Sequence, residues 1–270
     1  MSATAVGAGE QRIAAAFAAA RQDGRRAALM PYLMGGFPDL EGSRAIGEAY
    51  ADGGADLVEV GVPFSDPLAD GPVIQAAGTR ALAAGATVAG VLEVAGAIAA
   101  RLPVVLMCYA NLVLTRGAEA FAARLAGAGL SGLIVPDLPL EEAPGVLEAC
   151  DAAGVALVPL VAPTTPDERL ARIGARARGF LYTVSVTGTT GERTALSEAY
   201  AGVIARARAA TDVPVALGFG IATPEHAAAA ADAGADGVIV GSRLVRAASE
   251  ADDPAAAVRE LVAGFARGLR

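Results

Sequence analysis

Two nearby carboxylates, Glu59 and Asp70, are the strongest candidates for chemistry in this 270-residue chain. Glu59 lies inside Leu57–Gly61, a run of apolar and β-branched residues that predicts a buried strand. Asp70 follows in a loop that is rich in proline and glycine. An ionised carboxylate is expensive to bury without a partner, so its presence in such a strand indicates a use. Two carboxylates in unlike surroundings can have different pKa values, which suits one to transfer protons and the other to stay charged.

A structural explanation also fits each carboxylate taken alone. Glu59 could belong to an internal ion pair, and Asp70, which precedes a glycine, could be an ordinary turn residue. The functional hypothesis therefore needs support from the rest of the chain.

The set of reactive side chains excludes several mechanisms. All 21 basic residues are arginines, so no lysine can form a Schiff base with a substrate or with pyridoxal phosphate. The single histidine, His226, lies near the start of a predicted helix, where we expect it to be solvated or to cap the helix. No His cluster or Cys pair has the spacing of a transition-metal site, so no metal is expected. Chemistry must come from carboxylates, hydroxyls, arginine, tyrosine and backbone amides.

Composition predicts a single large domain. Apolar residues make up 54% of the chain, and the net charge of -8 argues against nucleic-acid binding. We expect residues 1–270 to form one domain, with residues 1–9 as a flexible N-terminus. No apolar run is long enough to predict a membrane span, and the start of the chain lacks the pattern of a secretory signal. Two distant cysteines, Cys108 and Cys150, are typical of a reducing compartment, so we expect a cytoplasmic protein.

Strand and helix patterns alternate from one end of the chain to the other. An amphipathic helix near Glu10–Asp23 comes first, and Ala-rich helical segments then separate eight apolar strands. The predicted strands are Ala28–Leu33, Leu57–Gly61, Val104–Cys108, Gly132–Val135, Val155–Leu160, Phe180–Val184, Val215–Leu217 and Gly237–Val240. Alternation of this kind predicts an α/β fold with a parallel sheet. Eight such units in a chain of this length favour a TIM (β/α)8 barrel with an extra N-terminal helix, and a doubly wound open sheet is the alternative.

Three glycine-rich turns follow the last three predicted strands. They are Thr187–Gly191, Gly218–Gly220 and Gly241-Ser242, and the last of them opens a helix. Glycine lets backbone N–H groups approach an anion closely, and barrels frequently bind phosphate at the loops after the seventh and eighth strands. The absence of lysine favours a cradle of backbone amides over a cationic clamp.

The stretch Glu59–Pro72, with the sequence EVGVPFSDPLADGP, resembles the signature of the tryptophan synthase alpha chain family. Four further motifs match the family in order and in the expected loops; they are Cys108–Asn111, Pro136–Pro139, Ser185–Gly191 and Gly218–Ile221. The resemblance spans the chain from about Ile13 to Leu261. The first motif is long and specific, whereas the glycine motifs are shared with other phosphate-binding barrels.

The resemblance implies a lyase that cleaves indole-3-glycerol phosphate to indole and glyceraldehyde 3-phosphate, with Glu59 and Asp70 as the catalytic pair. It implies that the substrate contacts Tyr32, Tyr109, Tyr182, Thr190, Gly191, Gly218, Phe219, Gly220, Gly241 and Ser242. Of these, Gly191, Gly220, Gly241 and Ser242 would hold the phosphate, and the three tyrosines would line the indole and glycerol region.

The same resemblance implies a partner. It is a beta chain that carries pyridoxal phosphate and receives the indole in an α2β2 heterotetramer, and this chain would need no cofactor of its own. Asp66, Pro67 and Asn111 correspond to positions that face this partner.

Some alternatives stay open at this point. Another phosphate-sugar barrel, such as an isomerase or epimerase, would share the glycine turns but leaves the stretch from Glu59 to Asp70 unexplained. A non-catalytic regulatory subunit and a stand-alone indole producer are further alternatives. Two positions also depart from well-known family members, because Tyr32 stands where Phe is common and Val186 replaces an Arg found in some members.

Overall fold

The computed structural model describes residues 7–185 and 193–270, with the helical backbone alone for residues 193–199. Within these ranges, nine parallel strands form one nearly closed sheet in the order β5-β4-β3-β2-β1-β9-β8-β7-β6. The strands are β1 (Ala28–Met34), β2 (Val58–Gly61), β3 (Val104–Met107), β4 (Gly132–Ile134), β5 (Ala156–Val158), β6 (Leu160–Val161), β7 (Leu181–Val184), β8 (Val215–Gly218) and β9 (Gly237–Val240). The first and last strands pair with each other, with Ala28 opposite Gly237, so the sheet curves into a barrel. The TIM barrel prediction is confirmed.

The predicted fifth strand is divided into two short strands, β5 and β6, by Pro159. Proline lacks the backbone N–H that a parallel ladder needs, so pairing stops at this residue. The Pro159 carbonyl still accepts the N–H of Tyr182 at 3.0 Å, and the chain itself connects the two ends of the sheet.

Twelve helices surround the strands in the described part of the chain. They are α1 (Ala8–Gln22), α2 (Leu40–Asp52), α3 (Pro72–Ala83), α4 (Val88–Ala99), α5 (Ala110–Leu114), α6 (Ala118–Gly127), α7 (Pro144–Ala153), α8 (Asp167–Gly174), α9 (Arg193–Ala210), α10 (Pro224–Asp232), α11 (Ser242–Glu250) and α12 (Pro254–Gly268). In this part of the chain no single helix is long and apolar enough to cross a membrane. Helices α3 and α4 satisfy that test only as a pair, and the pair is bent by 112°.

The C-terminal segment forms two helices. Helix α11 ends at Glu250, and α12 begins at Pro254 after a new N-cap. The Asp253 side chain accepts the N–H of Ala256 at 3.0 Å, and Pro254 occupies the first helical position. Both features favour a fresh helix start, because a capping carboxylate satisfies a free N–H and proline has none to satisfy.

Helix α1 closes the N-terminal end of the barrel. Its first turn includes Ala8 and Gly9, which the sequence assigned to a flexible terminus, and Gly9 donates its N–H to the Gly154 carbonyl at 2.8 Å. Ile13 and Phe17 are buried against a cluster of inward-facing strand residues that includes Met30, Leu57, Val105, Ile134, Phe180, Ala216 and Ile239. The interior is therefore packed at this end, and the carboxyl ends of the strands are left for a site.

This packing predicts the effect of truncating Phe17. The side chain is 3% exposed, so Phe17→Ala should lower the free energy of unfolding by about 3–5 kcal/mol through lost burial and a cavity. Urea denaturation would measure the loss, with Leu114→Ala as the control because Leu114 is 57% exposed. Equal, small losses in the two variants would contradict the role of α1 in closing the barrel.

Candidate active site

A cavity of about 330 Å³ opens at the carboxyl ends of the strands. Its walls come from β1, β2, β3, β7 and β9 and from the loops that follow β2, β8 and β9. Most of the residues that the sequence proposed for substrate contact or catalysis line it; they are Tyr32, Glu59, Asp70, Tyr182, Phe219, Gly220, Gly241 and Ser242. Residues distant in sequence are thus gathered around one space.

Glu59 is held in the centre of the sheet, between β1 and β3. Its cross-strand neighbours are Tyr32 and Val105, and only 2% of its surface is exposed. Its Oε2 atom is buried and has no hydrogen-bond partner among the described residues. Burial, and secondly the negative charge of Asp70, raise the pKa of the Glu59 carboxyl to about 8. At neutral pH the group is therefore mainly a protonated acid that faces the cavity, and it is not part of an ion pair.

Asp70 lies at the end of the loop between β2 and α3 and is only partly buried. Burial raises its pKa, while a hydrogen bond from the Tyr109 hydroxyl acts in the opposite direction. The loop is tied down on both sides of the carboxylate. The Tyr109 hydroxyl also accepts the Ala69 N–H at 2.9 Å, and Gln75 Nε2 donates to the Asp70 carbonyl at 2.8 Å. Because it is the less buried of the two carboxyls, Asp70 ionises before Glu59.

The three tyrosines proposed for substrate contact have different positions. Tyr32 and Tyr182 line the cavity, whereas Tyr109 is not one of its lining residues. Tyr109 instead stacks on Phe64 with 5.2 Å between ring centroids and holds the Asp70 loop. Its contacts are those of a positioning residue.

Two glycines make room for the tyrosine rings that line the cavity. A Cβ atom at Gly61 would lie 2.0 Å from the Tyr32 Oη, and a Cβ atom at Gly218 would lie 2.4 Å from the Tyr182 Oη. Each tyrosine ring therefore lies over a glycine of the neighbouring strand, where no side chain blocks it. Gly218 accordingly lies beneath Tyr182 and is not itself among the lining residues. Burial raises the pKa of both tyrosines, so their hydroxyls remain protonated hydrogen-bond donors.

The far end of the cavity is formed mainly by backbone. After β8 the chain turns through Phe219 and Gly220, whose φ angles are +67° and +75°. A positive φ is unusual for a residue with a side chain, and Ser185 holds this turn by donating from Oγ to the Phe219 carbonyl at 2.7 Å. Gly241 and Ser242 lead into α11, whose first N–H groups have no partner within the helix. Thr190 and Gly191, the other proposed phosphate contacts, lie outside the described residues.

Two arginines that the sequence interpretation missed also line the cavity. Arg243 and Arg246 lie one turn apart on α11, directly after Gly241-Ser242. The argument from the absence of lysine was therefore incomplete, because basic side chains are present at this end. The two arginines are three residues apart and directly follow Gly241-Ser242 at a helix start, and this sequence signal could have revealed them.

The remaining residues singled out from the sequence are not among those that line the cavity. His226 is in the first turn of α10, and its Nδ1 accepts the Ala222 N–H at 3.3 Å, which stabilises the loop after β8. Asp66 and Asn111 are exposed and Pro67 is partly exposed, near the exposed side chains of Leu68 and Leu114. Among the described residues no group of His, Cys, Asp and Glu could hold a metal ion.

The cavity thus has two chemically different ends. One end has a neutral carboxylic acid and a second carboxyl that ionises more readily, between apolar walls that include Ile74, Met107 and Ile239. The other end has the first N–H groups of α11, which have no partner within that helix, and two guanidinium groups. Such a site suits a ligand with an anionic group at one end and an apolar ring that undergoes proton transfer at the other.

Comparisons with known proteins point to one family. The family model for the tryptophan synthase alpha chain matches residues 17–268. The tryptophan synthase alpha chain of Prochlorococcus marinus strain MIT 9313 is 50% identical over 82% of this chain and 81% of its own length. That of Phenylobacterium zucineum strain HLK1 is 47% identical over 96% and 95%.

Solved structures give the same result. A chain of Mycobacterium tuberculosis tryptophan synthase superposes with a TM-score of 0.88 and is 41% identical, covering 96% of this chain and 98% of that one. A chain of the tryptophan synthase α2β2 complex of Pyrococcus furiosus superposes with a TM-score of 0.83 at 35% identity, covering 88% and 97%. With this sequence coverage and this fold, the chain belongs to the tryptophan synthase alpha chain family.

Proposed function

We propose that Glu59 and Asp70 are the catalytic pair of this tryptophan synthase alpha chain. The chain is a lyase that cleaves indole-3-glycerol phosphate to indole and glyceraldehyde 3-phosphate. The observation that carries the assignment is the buried, unpartnered carboxyl of Glu59, which faces the same cavity as Asp70. A buried polar atom without a partner is costly, and a substrate that supplies the missing partner explains its retention.

The reaction breaks a carbon–carbon bond without a lysine or a metal because the substrate accepts the electrons. Glu59 donates its proton to C3 of the indole, which creates an indoleninium cation. The bond between C3 and the glycerol chain then breaks, and its electron pair restores the neutral indole ring. The adjacent glycerol hydroxyl becomes the aldehyde of glyceraldehyde 3-phosphate, and its proton returns to the Glu59 carboxylate. Protons and electrons therefore balance within the site.

Asp70 stabilises the positive charge that develops on the indole ring. Its ionised carboxylate accepts the indole N–H, where the indoleninium cation carries much of its charge. Tyr109 supports this role, because its hydroxyl contacts both the Asp70 carboxylate and the neighbouring backbone N–H of Ala69. A carboxylate fixed in advance stabilises a cation more effectively than one that must reorient.

The phosphate of the substrate lies beside the start of α11. There the N–H groups of Gly220, Gly241 and Ser242 donate hydrogen bonds to it, with Gly191 and Thr190 as further proposed contacts. The helix dipole at the start of α11 favours a negative charge at this position. Tyr32, Tyr182 and Phe219 then lie along the indole and glycerol part of the substrate, and Gly218 provides the space beneath Tyr182.

The chain acts together with a tryptophan synthase beta chain, as in the α2β2 complex of its Pyrococcus furiosus relative. Alpha chains of this family generally work without a cofactor, and we assign pyridoxal phosphate to the partner, which would receive the indole. Asp66, Pro67 and Asn111 are the proposed contacts. Their exposure and the exposed apolar side chains beside them, Leu68 at 87% and Leu114 at 57%, support this surface.

The chain is further proposed to form one domain and to act in the cytoplasm. The pairing of β1 with β9 supports a single domain, because the barrel includes strands from both ends of the chain. Two buried free cysteines, Cys108 and Cys150, support a reducing compartment.

Replacing the Glu59 carboxyl with an amide tests its catalytic role. Glu59→Gln should lower kcat at least about 100-fold, because the amide can neither donate nor recover the proton. Its affinity for glycerol 3-phosphate should stay within about twofold, since the phosphate end is unchanged. Indole release and calorimetric titration would measure the two quantities, with Glu93→Gln on the exposed face of α4 as the control. Full activity in Glu59→Gln would exclude the assignment.

The raised pKa of Glu59 predicts a pH dependence of stability. Because the pKa is about 8 in the folded chain and about 4.5 in an ordinary glutamate, the folded state binds the extra proton between these values. The wild type should therefore lose up to about 1.4 kcal/mol of unfolding free energy per pH unit relative to Glu59→Gln as pH rises through this window. Urea denaturation of both proteins from pH 5 to pH 9 would reveal it. A difference that does not change with pH would show that Glu59 is ionised when folded.

Binding of a beta chain is expected to change the rate of indole release by this chain. Purified alpha chain should release indole slowly, and addition of a tryptophan synthase beta chain should raise the rate about 5- to 150-fold, the usual range of coupling between sites. Glu59→Gln with the same beta chain is the control and should stay inactive. Fast release that the beta chain leaves unchanged would instead indicate a stand-alone lyase.

A further inference from the structure

We propose that Arg243 and Arg246 bind the substrate phosphate through their side chains and so set the specificity of this site for phosphorylated substrates. The inference rests on the proposed function and adds to it two residues beyond the backbone cradle. Both side chains line the same cavity as Glu59 and Asp70.

The two arginines lie on α11, close to its start. They are three residues apart, so they project from the same face of the helix, and both follow Ser242 at its start. The intervening Leu244 and Val245 are buried in the core, which fixes the rotation of the helix. The face with Arg243 and Arg246 is therefore held toward the cavity.

The guanidinium groups of Arg243 and Arg246 have no competing partner among the described residues. Several arginines of the described residues are held by carboxylates, such as Arg25 by Asp56 at 2.7 Å and Arg169 by Glu141 at 2.7 Å, whereas others, such as Arg259, are exposed at the surface and do not line this cavity. Arg243 and Arg246 have no hydrogen bond or ion pair within the described part of the chain, and Arg243 is partly buried. A guanidinium group that lines a cavity without an internal anion is available for an anionic ligand.

The charge around the site is a further reason for a role of the two arginines. The chain has a net charge of -8, and the cavity also contains the carboxyl of Asp70, which ionises more readily than that of Glu59. These negative charges repel an anionic substrate. Two guanidinium groups at the α11 end offset the repulsion there, and they make the cavity electrically asymmetric along its length. The phosphate is drawn to α11, and the indole is left beside the carboxyls.

The proposal is tested with Arg243→Ala, Arg246→Ala, the double variant and Arg243→Lys. Calorimetric titration with glycerol 3-phosphate should show affinity about tenfold weaker in each single alanine variant, the usual effect of losing one hydrogen bond to a charged group. KM for indole-3-glycerol phosphate should rise in parallel, while kcat changes far less. Arg243→Lys should recover part of the affinity, because it keeps the charge and loses the planar fork.

Arg259→Ala is the matched control, since Arg259 is exposed on α12 and is not among the cavity residues. It removes the same charge and should bind glycerol 3-phosphate as the wild type does. Raising the salt concentration should weaken binding to the wild type more than binding to the double variant, because salt screens the guanidinium contribution.

The outcomes separate this inference from the proposed function. If the wild type releases indole and the double variant binds glycerol 3-phosphate within about twofold of Arg259→Ala, the arginines do not bind the phosphate and the inference is wrong. If the affinity depends on Arg243 and Arg246 while the wild type releases no indole, the anion site stands and the catalytic assignment falls.

Discussion

The burial of an unpartnered carboxyl at Glu59 is the constraint on which the rest of the site depends. A strand in the middle of the sheet holds this side chain, with Tyr32 and Val105 opposite it on the neighbouring strands. Removal from water makes the ionised form costly, so the group keeps its proton near neutral pH. The same removal destabilises the fold when the proton leaves. Extensive apolar packing around the barrel, including the closure of its far end by α1, must offset that cost.

Rigid and adjustable parts of the site have different origins. Glu59, Tyr32 and Tyr182 are on strands, and two glycines allow the tyrosine rings to lie across neighbouring strands. Asp70, in contrast, is on a loop whose position depends on a few hydrogen bonds with the side chains of Tyr109 and Gln75. The same loop includes Asp66 and Pro67, so the proposed partner surface and one of the two proposed catalytic carboxylates belong to one segment of chain.

The proposed function divides binding and chemistry between two parts of the cavity. Proton transfer is proposed beside β2, where burial raises the pKa of Glu59. Anion binding is proposed at the start of α11, where Gly241, Ser242 and two arginines line the same cavity of about 330 Å³.

Features that depend on local pattern could be predicted from the amino-acid sequence alone. Alternating apolar strands and Ala-rich helices predicted the barrel, and the stretch from Glu59 to Asp70 identified the family and the candidate pair, because strand periodicity and turn residues are local properties. Which side chains meet depends on the tertiary structure. The fold separates Tyr109, which holds the Asp70 loop, from Tyr32 and Tyr182, which line the cavity, and it brings Arg243 and Arg246 into the same cavity. It also divided one strand at Pro159 and gave Glu59 its raised pKa. These properties depend on burial and on neighbours distant in sequence, which no local pattern contains.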